Sequence, residues 1–261
     1  MLTEAGDGIE RGGALYRHFG KDVERHALRW FNKPVQQFGM LQQSNWTDTA
    51  QGACLVRLQD CPPAFAKPRS GKPDKLLVAR EKIASDLSYM LQLPVAPVVI
   101  KEPCGTWPHH CAVSMVSLPS PRPWGERGDR SRQDMAGPLE ALRVFWTWIA
   151  DTDHEGNDTN LYFDEIDAGV AVMAIDHAYS LGHACHGNPL AHGPMLGYGT
   201  AHDHGSAGVR DQILDRIMKL DDGAVRSIVV RLGDILTEQE QGEILALLFT
   251  RREALPGLLA N

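Results

Sequence analysis

The pattern of apolar and polar positions divides this chain into a strand-rich first part and a helix-rich second part. Residues 53–58 and 64–67 are short apolar runs flanked by Pro, Gly and Asp, and they read as two strands of a loop and hairpin. Residues 76–91 set Leu77, Ile83, Leu87, Met90 and Leu91 at helical spacing, with charge expected on the other side, until Leu93-Pro94-Val95 stops the helix. Strands are expected at 95–100 and 112–116. Beyond a Pro-, Gly-, Arg- and Asp-rich stretch at 120–137, Leu142, Phe145, Trp146 and Ile149 mark one face of a helix over 139–150. Residues 161–163 and 170–175 form a predicted hairpin, and helices follow at 209–220, 223–232 and 238–251. The pattern predicts an α+β fold with a strand-rich N-lobe (46–119), an exposed connector (120–137) and a mainly helical C-lobe (138–261). Residues 1–45, with a helix expected at 16–31, stand ahead of this order as an extension without a readable role.

Composition narrows the functional classes. At 261 residues, with 43% hydrophobic and 23% charged residues, the chain can bury a full core and does not have a disordered composition. A formal charge of −7 argues against a surface devoted to nucleic-acid phosphates. The five cysteines, Cys54, Cys61, Cys104, Cys111 and Cys185, contain no C-x-x-C pair, so they predict reduced thiols and neither a disulfide framework nor a zinc ribbon. The first 13 residues lack the basic start and apolar run of a secretory signal, and no apolar stretch approaches the ~20 residues of a membrane span. A cytoplasmic location without membrane attachment is the expectation.

Phosphoryl transfer from ATP needs a cation on the phosphates, oxygen ligands for Mg²⁺ and a carboxylate beside the attacking hydroxyl. Lys67 closes an apolar strand 15 residues after Gly52, so a turn over Thr47, Thr49 and Gly52 can cover phosphates that the ammonium contacts. Glu81 lies 14 residues further on, where its carboxylate can orient Lys67; the plainer reading is a solvated helix charge. The run Asp151-Thr152-Asp153-His154-Glu155-Gly156-Asn157-Asp158-Thr159-Asn160 concentrates acids, amides and a histidine between a helix and a strand, a composition that a simple turn also favours. Asp176 leaves an apolar strand directly, and a carboxylate there requires a partner or a cation. His177, His183, His186, His192, His202 and His204 crowd the next 28 residues, so a metallohydrolase built on Asp176, His177, His202, Asp203 and His204 is an alternative from another class.

Residues 145–163 together with 174–181 resemble the catalytic hairpin of HipA-like kinases, relatives of the phosphatidylinositol kinases, in which an Asp-Arg-His-x-x-Asn loop precedes a strand ending in a metal-binding Asp. Phe65-Ala66-Lys67-Pro68, the Glu81-bearing helix and Leu93-Pro94-Val95-Ala96-Pro97 extend the resemblance, which spans 46–181. It implies a protein-kinase-like two-lobe fold and an ATP- and Mg²⁺-dependent transfer to a hydroxyl, expected on a protein. Lys67 would contact the α- and β-phosphates with Glu81 orienting it, Asp153 would be the base, and Asp176 with Asn157 would hold metal. No arginine separates Asp153 from His154 here, which shortens the loop and makes Asn160 an alternative amide ligand and Asp151 an alternative base beside His154. A nucleotide-binding pseudokinase scaffold is compatible with the same departures.

Overall fold

The computed structural model describes residues 21–42, 53–58, 63–67, 75–105, 107–115, 118, 122–123, 136–154, 157–166, 169–183, 185, 187–192 and 207–260. Helix α1 (Lys21–Asn32) is followed by strands β1 (Val35–Gln36), β2 (Met40–Gln42), β3 (Cys54–Leu58) and β4 (Ala64–Lys67). Helix α2 (Lys75–Leu91) precedes β5 (Val98–Lys101) and β6 (Cys111–Met115). The strands form one sheet in the order β1-β5-β6-β4-β3-β2, antiparallel except for the β1·β5 pair. Alternation governs its faces: Cys54, Val56, Ala64 and Ala66 are buried, whereas Leu55, Phe65 and Lys67 on the opposite face are only partly covered.

Residues 21–42 are integral to this lobe. Val23, Ala27, Trp30 and Phe31 recur at helical spacing and join the core, with the Phe31 ring stacked on Tyr89 of α2 at 4.7 Å, while β1 and β2 close the two edges of the sheet. Helix α2 departs from its expected exposed polar face, because Arg80, Glu81, Lys82 and Asp86 are all buried. Buried charge requires partners, and α1 and the C-lobe provide them. The Lys82 ammonium donates to Trp30 O and Val98 O, both at 2.8 Å, and to Asp86 Oδ1 at 2.7 Å. Arg231 donates to Phe31 O at 2.7 Å and pairs with the other oxygen of Asp86.

In the second part, β7 (Arg122–Pro123), drawn from the expected connector, pairs with β8 (Leu161–Ile166), which pairs with β9 (Gly169–Ala174). The hairpin is longer than the apolar runs indicate, since Asp164, Glu165 and Ile166 continue the ladder. Helix α3 (Ala136–Ile149) is the centre of the lobe, buried from Leu139 to Ile149 except at Arg143. Around it lie α4 (Ala207–Met218), α5 (Asp222–Val230) and α6 (Glu238–Leu258), the last begun by a capping box between Thr237 and Glu240 and extending past Pro256 in its final turns. Fully buried Arg251 of α6 donates to Thr147 O at 2.6 Å, where the C-terminal carbonyls of α3 favour a cation. Among the described residues no helix is long and apolar enough to cross a membrane.

Candidate functional site at the junction of the lobes

The segment after α2 fastens the lobes together. Pro94 O accepts the amide of Ala174 at 2.8 Å and Ala96 donates to Ala174 O at 2.9 Å, so the end of β9 is tied to the N-lobe two residues before Asp176. Asp176 follows in a left-handed conformation, φ 65°, which Asp tolerates better than most side chains. Its carboxylate meets the Lys67 ammonium at 2.6 Å, and the same ammonium donates to Glu81 Oε1 at 3.0 Å. Glu81 Oε2 accepts the backbone amide of His177 at 3.0 Å, which also locks α2 to the residue after Asp176. Lys67, Glu81 and Asp176 therefore converge from strand, helix and hairpin, and the plain reading of Glu81 as a solvated helix charge does not hold.

The electrostatics follow from two carboxylates sharing one ammonium. Burial opposes the charge on Lys67, but Glu81 and Asp176 outweigh it and hold the lysine pKa above its ordinary value. Burial also acts against ionised Asp176, yet Lys67 keeps its pKa below the usual carboxylate range. Glu81 is left with the opposite balance: burial raises its pKa despite Lys67.

A second group of residues comes from the loop after α3. Ala150, at φ 52°, reverses the chain, and Asp151 N donates to Trp146 O at 3.0 Å to close the helix. Asp151 is fully buried, and its Oδ1 accepts from Asp153 N, His154 N and His154 Nδ1 at 3.0, 3.3 and 2.8 Å. The other ring nitrogen, Nε2, donates to Ile175 O at 2.8 Å. Both partners are acceptors, so the ring is a doubly protonated imidazolium. Burial disfavours that charge, but Asp151 outweighs it and raises the His154 pKa, while Asp151 is held low by the histidine against its own burial. The imidazolium stacks on Trp146 at 4.5 Å. His177 lies 4.5 Å from it on another side, accepts the Trp146 indole N–H at 3.2 Å, and is pushed down to about 3 by burial and by the charge on His154.

Asp153, Asn157 and Asn160 complete the arrangement. Asn160 donates to Asp153 Oδ2 at 2.7 Å, and its carbonyl accepts Ile175 N at 2.9 Å, so Ile175 is held through its carbonyl by His154 and through its amide by Asn160. Asn157 reaches Asp153 Oδ1 only at 3.4 Å and uses its own Oδ1 to cap the turn at Thr159. Of the two amides, Asn160 is the one fastened to the segment that leads from β9 to Asp176. Thr47, Thr49 and Gly52 lie outside the described residues, as do His202, Asp203 and His204. Asp151, His154 and His177 place potential ligand atoms within 4.8 Å of one another. Both His154 nitrogens already donate and His177 Nε2 accepts from Trp146, while Asp151 Oδ2 is buried without a hydrogen bond. The sequence pointed to His154 and Asp151 through composition and the family resemblance; the roles of Trp146 and His177 in this stack carry no sequence signal beyond the polar tips of two rings in apolar surroundings.

No protein-family model matches the chain, and a comparison with curated proteins finds no match. Among solved structures, the Helicobacter pylori proinflammatory kinase CtkA is similar over 84% of this chain and 94% of that one, at 10% identity and a TM-score of 0.56. The Rio2 kinase–ADP/Mg²⁺–phosphoaspartate complex from Chaetomium thermophilum matches over 89% and 75% at 13% identity, TM-score 0.42. WaaP in complex with acyl carrier protein matches over 84% and 86% at 17% identity, TM-score 0.35. The likeness to CtkA establishes the fold: this is an α+β chain of the protein-kinase-like kind.

Proposed function

We propose that the protein is an ATP- and Mg²⁺-dependent phosphotransferase of the HipA-like kind that moves the γ-phosphoryl group to a hydroxyl, on a protein. The observation that carries this reading is the convergence of Lys67 on Glu81 and Asp176, with Asp153 and Asn160 fastened to the same strand end. In this reading Lys67 contacts the phosphates and Glu81 holds it there. Asp153 accepts the proton of the attacking hydroxyl at a carboxylate oxygen, and Asp151 and His154 position the loop that bears it.

The residues also fit a divalent cation. Two carboxylates on one ammonium leave a surplus negative charge, Asp176 Oδ1 is buried without a hydrogen bond of proper geometry, and Asn160 Oδ1 has no hydrogen-bond partner among the described residues. Asp176 and Asn160 would hold Mg²⁺, which when bound neutralises charge on the phosphate oxygens. Calorimetric titration with ATP, with and without Mg²⁺, followed by transfer of labelled γ-phosphate to protein acceptors, tests the proposal. Mg²⁺-dependent binding with transfer supports it. Binding without transfer makes the chain a pseudokinase scaffold, and absence of binding removes the reading altogether.

A further inference from the structure

Outside the junction, at the turn after β5, Lys101 and Cys104 form a pair that the proposed chemistry does not use. The Lys101 side chain is fully buried, and among the described residues it has no carboxylate partner. Among the described residues its ammonium donates to Glu102 O at 2.9 Å and to Cys104 Sγ at 2.7 Å, and its charge also reaches the Cys111 thiol. A buried cation without a counter-ion is costly. The turn leaves little freedom to separate the two groups. Lys101 is paired in the sheet with Gln36 and Cys111, and Cys104 exchanges two backbone hydrogen bonds with Trp107 at 2.8 and 2.7 Å.

Access separates Cys104 from the other described cysteines. Cys104 is exposed, whereas Cys54, Cys111 and Cys185 are buried. Burial pushes the Cys54 thiol up to about 11 and that of Cys111 up to about 12, and it raises Cys185 as well, so these three are poor sources of thiolate. Cys104 is thus the solvent-exposed member of the pair, and the buried Lys101 nitrogen that can trap its oxidised product lies beside it. At 2.7 Å the nitrogen is already inside the ~3–3.5 Å of a near-attack arrangement.

We propose that Lys101 and Cys104 are a peroxide-sensitive modification site, which oxidation closes into a reversible sulfur–nitrogen cross-link. In the first step a peroxide oxidises the Cys104 thiol by two electrons to the sulfenic acid and is itself reduced to water. In the second, the Lys101 nitrogen, having lost its proton, attacks the sulfur. The S–N bond forms as the S–O bond breaks, and the departing hydroxide takes a further proton from nitrogen and leaves as water. The sum of the second step is sulfenic acid plus ammonium giving sulfenamide, one water and one proton. A thiol reductant returns both side chains to their starting state.

The test treats the folded 261-residue chain with hydrogen peroxide, digests it with trypsin and reads the fragments by mass spectrometry. The expected product is uncleaved after Lys101, spans Lys101 to Cys104, weighs two hydrogens less than the unmodified peptide and reverts with dithiothreitol. Protein unfolded in urea before the peroxide step should not form it, since the product depends on the folded approach of the two groups. Cys104→Ser, a substitution at an exposed position, should fold and should leave Lys101 cleavable. The proposal is overturned if Cys104 in the folded protein proceeds to sulfinic acid with Lys101 still cleaved, if it forms a disulfide with another cysteine, or if Cys104→Ser still yields the lighter species.

Discussion

At the scale of single residues, the charge balance around Lys67 determines what its loss would do. Removing a buried partner strands the other charges, and here it would leave Glu81 and Asp176 facing each other with no cation between them. Lys67→Met should therefore lower stability by ~3 kcal/mol at neutral pH, and this must be separated from any loss of nucleotide affinity. Glu81 already has its pKa raised by burial above the ordinary 4.5. A raised carboxyl is favoured below the unfolded pKa and loses that advantage as pH rises through the folded one, so the Lys67→Met deficit should shrink as pH falls toward that value. Urea unfolding at pH 5 and pH 7, with Glu81→Gln added to Lys67→Met, checks this; no rescue by the second substitution would mean the two carboxylates do not repel. His177 has the opposite sign. Its pKa falls from 6.5 to about 3 in the folded state, so the stability it contributes is whole above 6.5 and is lost as pH falls through that window. His177→Gln keeps an acceptor for the Trp146 indole and removes the titration. The dependence of unfolding free energy on pH between 6 and 4 should flatten by ~1.4 kcal/mol per pH unit, the value of one proton, and an unchanged slope would show that His177 is not held neutral.

At the scale of elements, the position of α2 rests on helices at both ends of the chain. Lys82 and Arg231 each donate to carbonyls at the C-terminus of α1, and both pair with Asp86, one turn beyond Lys82 on the same helix as Glu81. Arg231→Ala should cost about 2 kcal/mol by leaving Phe31 O and one oxygen of Asp86 short of donors. It should also speed amide exchange in α2 and weaken nucleotide binding, although Arg231 does not touch Lys67, Glu81 or Asp176; exchange confined to α5 would show that α2 is held by packing alone. This clasp was not legible in the sequence. Periodicity located α2, α3, α4, α5, α6 and most of the strands, because apolar spacing reports burial directly. It expected charge on the outer side of α2 and missed the burial of Lys82 and Asp86 there, because pairing with a carbonyl of α1 or with the guanidinium just after α5 depends on contacts more than 50 residues distant. Strands as short as Val35–Gln36 and Arg122–Pro123 have no period to detect, and partners on β5 and β8 define them. The site was more legible than its support. Lys67 and Asp176 were marked by strand ends and Glu81 by its distance from Lys67 and the family resemblance, whereas the preference for Asn160 over Asn157 required the hydrogen bonds to Asp153 and Ile175.

At the scale of the whole molecule, the proposed nucleotide and metal sites draw on both lobes, so binding and folding are linked. A ligand that binds only the folded state at 100 times its dissociation constant adds ~2.7 kcal/mol, which for a chain of this size raises the thermal midpoint by ~5–10 °C. Wild-type protein with saturating ATP and Mg²⁺ should show that rise. Asp176→Asn retains a side chain that tolerates the left-handed backbone at this position but replaces the charge a hard dication requires, so it should lose most of the Mg²⁺-dependent part. Asp153→Ala should behave differently, because a base accepts its proton only as the hydroxyl attacks. It should keep nearly the full thermal shift and lose ~10²- to 10⁴-fold in the rate of phosphate transfer. Asn160→Ala should fall with Asp176→Asn, and Asn157→Ala should stay near wild type if its amide only caps the turn at Thr159. Differential scanning fluorimetry beside transfer of labelled phosphate separates the groups. Equal transfer by wild type and Asp153→Ala would remove Asp153 as the base, and an intact Mg²⁺-dependent shift in Asp176→Asn would remove that carboxylate from the metal site.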